Sequence, residues 1–262
     1  MKNILALEQI NKIFTNRMFK TVMKDTIYRS NNTSIQPFEF NERVVGVFQD
    51  MIERSIPGYS LTISMISVMG DKFVQAGSNI YDLGCSLGTV SFAIQQAIQN
   101  KKCRIIAVDN SEAMINECCK NNIHKKESIE IDFVLNDLLN IKIINASVIV
   151  MNFTLQFIPL EDRKRLIKEI YEGLLPGGVL ILSEKVFFND KNEDEAMIKL
   201  HHHMKELNGY EKLEIAGKRK SLEDVLIPEK IESHLGRLKK AGFENTLIWL
   251  KCFNFVSMIA FK

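Results

Sequence analysis

The chain has 262 residues, 46% hydrophobic and 25% charged, the balance of a water-soluble globular protein. Its 34 Lys and Arg against 32 Asp and Glu leave a net charge of +2 with no long block of one sign, so no broad nucleic-acid surface is expected. No apolar run approaches the roughly 20 residues that span a bilayer.

Residues 1–22 read as a basic, amphipathic segment, with Ile4, Leu5, Leu7, Ile10, Ile13 and Phe14 near helical spacing. Charge interrupts it too often for a signal peptide. An N-terminal extension over 1–23 is expected, leading into a single α/β domain over 24–262. The five cysteines (Cys85, Cys103, Cys118, Cys119 and Cys252) lack C-x-x-C spacing, which predicts reduced thiols and a cytoplasmic location. The polar stretch Thr26–Pro37 reads as irregular. From Asn41 the pattern turns helical through Val44, Val45, Val47, Phe48, Met51 and Ile52. Pro57-Gly58 then breaks it, and a second helix is predicted over Leu61–Phe73, with Tyr59 at the joint.

Short apolar runs then alternate with helical patterns. Strands are predicted at Asn79–Leu83, Arg104–Val108, Ile129–Leu135, Ser147–Asn152 and Val179–Glu184. Helices are expected after the first, second and fourth, the last being LEDRKRLIKEIYEGL, which ends before Pro176-Gly177-Gly178. This alternation predicts a doubly wound, mostly parallel sheet. Charged, helical sequence over about 189–242 reads as an insertion, with helices at Ala196–Leu207 and Ile231–Lys240. Thr246–Phe255 and Ser257–Phe261 follow too closely for a crossover and predict a terminal antiparallel hairpin, bringing the sheet to seven strands.

In an open α/β sheet, ligands bind at the carboxyl ends of the strands. Those ends collect Gly84, Cys85, Ser86, Gly88, Asp109, Asn110, Asp137 and Asn152. NIYDLGCSLG is a strand, a glycine turn and a helix start, and Asp109 ends the next apolar run about twenty residues on, where a carboxylate suits a ribose. The turn lacks the G-x-x-x-x-G-K-[ST] of a phosphate loop, so a ligand of ribose, base and zwitterionic tail fits better than a triphosphate. Asp137 and Asn152 equally suit turn caps. Cys85 is read as a small residue in a crowded turn. Three consecutive histidines, His201–His203, point about 100° apart on a helix and cannot converge on one ion, so no metal is expected. The run Lys218–Lys220 reads first as a solvated face.

Together DLGCS, AVDNS, Asp137, NFTLQF and LPGGVLILSEK resemble the class I S-adenosylmethionine-dependent methyltransferase fold over about Ser78–Glu184. A narrower resemblance runs from Lys24 to the C-terminus. It is carried by RSIPGYS, NIYDLGCSLG, VDNS, NASVIVMNFTLQFIPLEDR, IYEGLLPGGVLILSEK, NGYEKLEIAGKR, LEDV and CFNFVSMIAFK, which are similar to carboxy-S-adenosyl-L-methionine synthases. The resemblance implies conversion of S-adenosylmethionine and prephenate to carboxy-S-adenosylmethionine, phenylpyruvate and water. It implies a homodimer, and a separate tRNA carboxymethyltransferase that uses the product at wobble uridine. It also implies ligand contacts at Tyr59, Gly84, Cys85, Ser86, Asp109, Asn110, Asp137, Leu138, Asn152 and Arg219, with Arg219 pairing the new carboxylate.

Three departures from the family pattern stand out: the residues before Met23, Leu138 in place of isoleucine, and Glu206 where a basic residue is expected. Two other functions fit the same cofactor turn: an ordinary methyltransferase, and a non-catalytic S-adenosylmethionine-binding partner of a tRNA-modifying enzyme.

Overall fold

The computed structural model describes residues 23–29, 36–98, 102–122 and 129–262; the amphipathic segment 1–22 lies outside them. Seven strands form one sheet: β1 (Asn79–Leu83), β2 (Arg104–Asp109), β3 (Glu130–Leu135), β4 (Ala146–Asn152), β5 (Leu174–Lys185), β6 (Asn245–Cys252) and β7 (Phe255–Phe261). Their spatial order is β3-β2-β1-β4-β5-β7-β6. The first five are parallel, and β7 runs antiparallel between β5 and β6. The chain builds outward from β1 to β3, then returns to lay β4 on the other side of β1. The crevice at that reversal is where an open α/β sheet receives a ligand.

The central strands are near-continuous apolar runs because both faces of the sheet are covered. Along β4, Val148 and Val150 face one way, where they join Ile80, Ile105, Ile131 and Ile181. On that face lie α3 (Tyr59–Phe73), through Ile63 and Ile66, and α4 (Thr89–Ala97), through Val90, Ala93 and Ile94. Ile149 and Met151 face the other way, with Leu83, Leu180 and Met258. There α6 (Leu160–Gly173) packs Leu166, Ile167 and Ile170, and α9 (Ile231–Ala241) packs Leu238 and Ala241. Helix α5 (Glu112–Asn122) adds Ile115 to the first face.

The helix expected from Asn41 is two helices, α1 (Glu42–Val45) and α2 (Phe48–Ser55), parted at Gly46-Val47. The second predicted helix starts two residues earlier than expected, at Tyr59, because Gly58 takes the left-handed φ of +70° that turns the chain into it. Phe38, Val44, Val47, Met51 and Met114 form a small third core, which roofs the carboxyl ends of β1 and β2.

Between β5 and β6 come α7 (Lys191–Leu207), α8 (Lys212–Ser221) and α9. Helix α8 was not expected from the sequence, although a capping box closes its start: the Glu211 and Glu214 side chains each bond the other's backbone amide. The terminal hairpin forms as expected, but its turn is Phe253-Asn254 rather than Val256, with Phe253 at φ +52°. Strand β5 also begins earlier than Val179, since Leu174 already pairs with Ala146 before the exposed Pro176-Gly177 loops out.

One buried cation ties the inserted helices to the sheet. Arg163, fully buried in the first turn of α6, donates to the carbonyls of Gln156 (3.1 Å), Ile158 (2.8 Å) and Ile227 (2.9 Å) and pairs with Glu229 at 2.6 Å. Glu229 also takes Arg237 from α9, at 2.5 and 2.6 Å.

Candidate active site

A cleft opens at the carboxyl ends of the parallel strands. Nine of the ten site residues expected from the sequence line it: Tyr59, Gly84, Cys85, Ser86, Asp109, Asn110, Asp137, Leu138 and Asn152. The tenth, Arg219, does not. It is exposed on α8, outside the wall, although its charge reaches Lys185 and His202.

The turn after β1 is shaped by three left-handed residues, Gly84 (φ +81°), Ser86 (φ +49°) and Gly88 (φ +73°). Gly84 and Cys85 both donate their amides to the Val108 carbonyl, at 2.8 and 3.0 Å, which lashes the turn to the end of β2. Asp109 completes the lashing, accepting from the Ser86 amide (2.8 Å) and the Ser111 amide (2.9 Å). With the Asn110 amide also drawing on it, the carboxylate meets three amides with about four lone-pair sites, which leaves room for a ligand hydroxyl. Asp109 is therefore a braced carboxylate rather than a solvated strand end, and burial raises its pKa against the pull of those amides.

Asp82, wholly buried behind the turn, accepts from the Ser91 hydroxyl (2.6 Å) and amide (3.1 Å), and burial pushes its carboxyl up to about 7. Asp137 does cap a turn, accepting from the Leu139 amide at 2.8 Å, and also lines the cleft. Asn152 ends β4 with its Oδ1 buried and without a partner among the described residues. Such an atom costs free energy unless a ligand donor meets it. Cys85 is a packed residue: the adjacent Cys118 thiol and burial hold its own thiol well above the ordinary value, so it is no ready nucleophile.

The next loop is held from below. Glu184, wholly buried, accepts the amides of Leu155 and Gln156, both at 2.9 Å. Burial raises its carboxyl to about 8 against those two amides and the nearby Arg163 charge. Gln156 in turn accepts from the Lys185 amide at 3.1 Å, so the ends of β4 and β5 are positioned together.

Beyond Asn152 the cleft wall changes character. Phe40, Phe48, Phe157 and Phe255 make it aromatic, and Lys185, His201, Lys205 and Lys218 make it basic. His201 is the one inward member of the histidine run. Its Nε2 donates to the Ser55 carbonyl at 2.8 Å, its ring stands edge-on to Phe255 at 4.9 Å, and burial lowers its pKa to about 2. His203 is exposed, 3.7 Å from the unexpected Glu206. Among the described residues no group of three or more His, Cys, Asp or Glu is placed to hold a metal ion, and no helix is long and apolar enough to cross a membrane.

The lysines were missed by the sequence reading, though signals existed. Lys185 ends β5, and so stands at a strand's carboxyl end as Asp109 and Asn152 do. Lys205 lies four residues after His201, hence on the same helix face. Lys218 belongs to a run read as solvated, and the run in fact divides: Lys218 is buried, whereas Arg219 and Lys220 are exposed.

Residues 80–178 match the model of a methyltransferase domain family. The chain is 48% identical over 239 residues to the carboxy-S-adenosyl-L-methionine synthase of Shewanella sediminis, covering 91% of this chain and 98% of that one. The enzyme of the same name from Enterobacter sp. (strain 638) is 45% identical, at 91% and 97% coverage. The chain belongs to the carboxy-S-adenosyl-L-methionine synthase family. The family's name makes S-adenosylmethionine the related substrate, and the braced Asp109, the glycine turn and the orphaned Asn152 oxygen suit such a nucleoside.

Solved structures agree on the fold. Human N-acetylserotonin methyltransferase, in complex with S-adenosylmethionine, superposes with a TM-score of 0.56 at 14% identity, covering 84% of this chain and 55% of that one. A putative S-adenosylmethionine-dependent methyltransferase from Methanococcus maripaludis gives 0.53 at 21% identity, with 87% and 96% coverage. The synthase family therefore uses a methyltransferase architecture, with its transfer chemistry set by what else the cleft holds.

Proposed function

We propose that this synthase takes S-adenosylmethionine and prephenate and releases carboxy-S-adenosylmethionine, phenylpyruvate and water. The product would serve, in the cytoplasm, a separate carboxymethyltransferase acting on tRNA wobble uridine. The observation that carries the reading is the near full-length identity to enzymes named for this product. The lining of the cleft supports it: it holds carboxylates that suit a sulfonium nucleoside and lysines that suit an anionic second substrate.

The reaction balances without a protein base. Prephenate becomes aromatic by losing its ring carboxylate as carbon dioxide and its ring hydroxyl as hydroxide. The hydroxide takes a proton from the sulfonium methyl and becomes water, and the resulting carbon nucleophile bonds the carbon dioxide. The protein's part is placement and exclusion of water, which the aromatic wall and the roof from α1 and α2 favour. In this reading Gly84, Cys85, Ser86, Asp109, Asn110, Asp137, Leu138 and Asn152 hold the nucleoside, and Tyr59 stands near the sulfonium. The exposed Arg219 would pair the new carboxylate from a partner protomer of a homodimer.

The experiment is to supply the purified protein with both compounds and weigh the nucleoside formed. A gain of one carboxyl group with phenylpyruvate alongside is expected; S-adenosylhomocysteine would mean methyl transfer, and consumption of neither would sink the assignment. Arg219→Ala should lower the yield of carboxylated product by about 10-fold or more, the scale of a lost charge-assisted hydrogen bond. Binding of S-adenosylmethionine, followed by calorimetry, should stay within about 2-fold, since that substrate lacks the carboxylate that Arg219 would pair and a lone exposed charge contributes little.

A further inference from the structure

The cleft lining holds basic groups that no carboxylate among the described residues pairs. Lys185 comes from β5, Lys205 from α7 and Lys218 from α8, and all three line one cavity. The acids nearest to them are engaged elsewhere. Asp25 accepts the Tyr210 hydroxyl at 2.6 Å and the Ile27 amide, Asp50 takes Arg54 at 2.9 Å, and Asp194 accepts the Phe188 amide at 2.9 Å. Among the described residues Lys218 Nζ bonds the Ser55 hydroxyl, at 3.1 Å, with the Tyr210 ring 5.9 Å away. No carboxylate lies within ion-pair distance of any of the three among the described residues.

Gathering like charges in an apolar wall is costly, and evolution removes such groups unless something rewards them. Three converging ammonium groups from three elements exceed what one carboxylate needs. We infer that Lys185, Lys205 and Lys218 together form the receptor for a dicarboxylate second substrate, in the same cavity that the nucleoside turn lines. This rests on the reading above that the second substrate is prephenate, a dianion.

The electrostatics fit. Burial, then repulsion by Lys218 and Lys185, brings Lys205 down to about 7. Burial brings Lys218 down to about 8, with Asp25 and Asp50 opposing and Arg54 adding to the fall. Lys185 is lowered by burial and by Arg219, with Asp194 opposing. On the helix carrying Lys205, His201 and His202 are both lowered and stay neutral. Near neutral pH the receptor is therefore only partly charged, and an arriving dianion completes its charge by drawing in a proton.

Three measurements on the full chain with S-adenosylmethionine present test this. Titration with prephenate in two buffers of different ionisation enthalpy should show net proton uptake. The KM for prephenate should climb as pH rises through 7 to 9, while the KM for S-adenosylmethionine stays flat. Lys205→Met should raise the prephenate KM about 10- to 100-fold, the range for a charged hydrogen bond, with Lys205→Arg recovering part of the loss. Lys205→Met should also melt several degrees higher, because a lysine lowered on folding costs stability below its unfolded value. A lysine kept for structure would melt lower. Turnover of prephenate with an unchanged KM and pH profile in Lys205→Met overturns the receptor and leaves the function standing. No turnover by the unaltered protein overturns the function itself.

Discussion

Gly84→Ala is expected to lose S-adenosylmethionine binding by about 100-fold or more and to lower the melting temperature. Two costs add. Gly84 sits at φ +81°, where an alanine loses about 1–2 kcal/mol to its own backbone. Its new Cβ would also fall well inside van der Waals contact of the Thr154 side chain and 2.9 Å from the Thr154 Cβ, so rotating that side chain gives no escape. Nor can the backbone retreat. Thr154 precedes the 3-10 turn Leu155–Phe157, whose amides are fixed on Glu184, and Gly84 is fixed on Val108. Overpacking of this kind adds about 1–3 kcal/mol. The strain lands on the two loops that bring Gly84 and Thr154 to the cleft. Calorimetric binding and thermal melts of Gly84→Ala and of Gly84→Ala/Thr154→Ala separate the terms: the second change should recover the part owed to the Thr154 γ atoms and leave the backbone part together with the 2.9 Å contact to the Cβ that alanine keeps. Wild-type affinity in Gly84→Ala alone would contradict this account of the turn.

Arg163→Ala should be the most destabilising single change away from the site, by about 3–5 kcal/mol, because it breaks a buried ion pair from one side only. Glu229 would keep Arg237 but lose its 2.6 Å partner, and the carbonyls of Gln156, Ile158 and Ile227 would lose donors in a dry interior. At roughly 2–4 °C per kcal/mol for a chain of this size, the melting temperature should fall by about 10 °C. Arg163→Lys should rescue little, since one ammonium cannot span four acceptors in a plane. Urea melts of both variants would check this, and a loss under 1 kcal/mol in Arg163→Ala would show that the network is not what holds the inserted helices down.

The parallel sheet was legible because its strands are apolar runs bounded by glycine and charge, and the helices of its right-hand and left-hand layers keep one apolar stripe each. The turn from Gly84 to Gly88 and its partner Asp109 were legible for the same reason: position at a strand end is nearly a function of sequence. The hairpin turn was not, because Cys252, Phe253 and Phe255 are apolar and leave Asn254 as the single turn-favouring residue, beside a left-handed Phe253. Arg163 reads in sequence like Lys164 and Arg165 beside it. It differs only because Glu229, far along the chain, folds back against it. Lys218 was hidden likewise, since nothing local sets it apart from Arg219 and Lys220, whereas Lys205 carries one weak local mark, its four-residue spacing from His201. Glu206, by contrast, stood out in sequence, yet what it meets is the histidine run of its own helix, His203 at 3.7 Å and the field at His202.

The central claim is that prephenate donates its ring carboxylate to the sulfonium carbon within this one cleft. Prephenate carrying carbon-13 in that carboxylate alone tests it most directly. The account predicts carboxy-S-adenosylmethionine one mass unit heavier than the unlabelled product, with unlabelled phenylpyruvate in equal amount. Label recovered only as bicarbonate, with the nucleoside unlabelled, would contradict it.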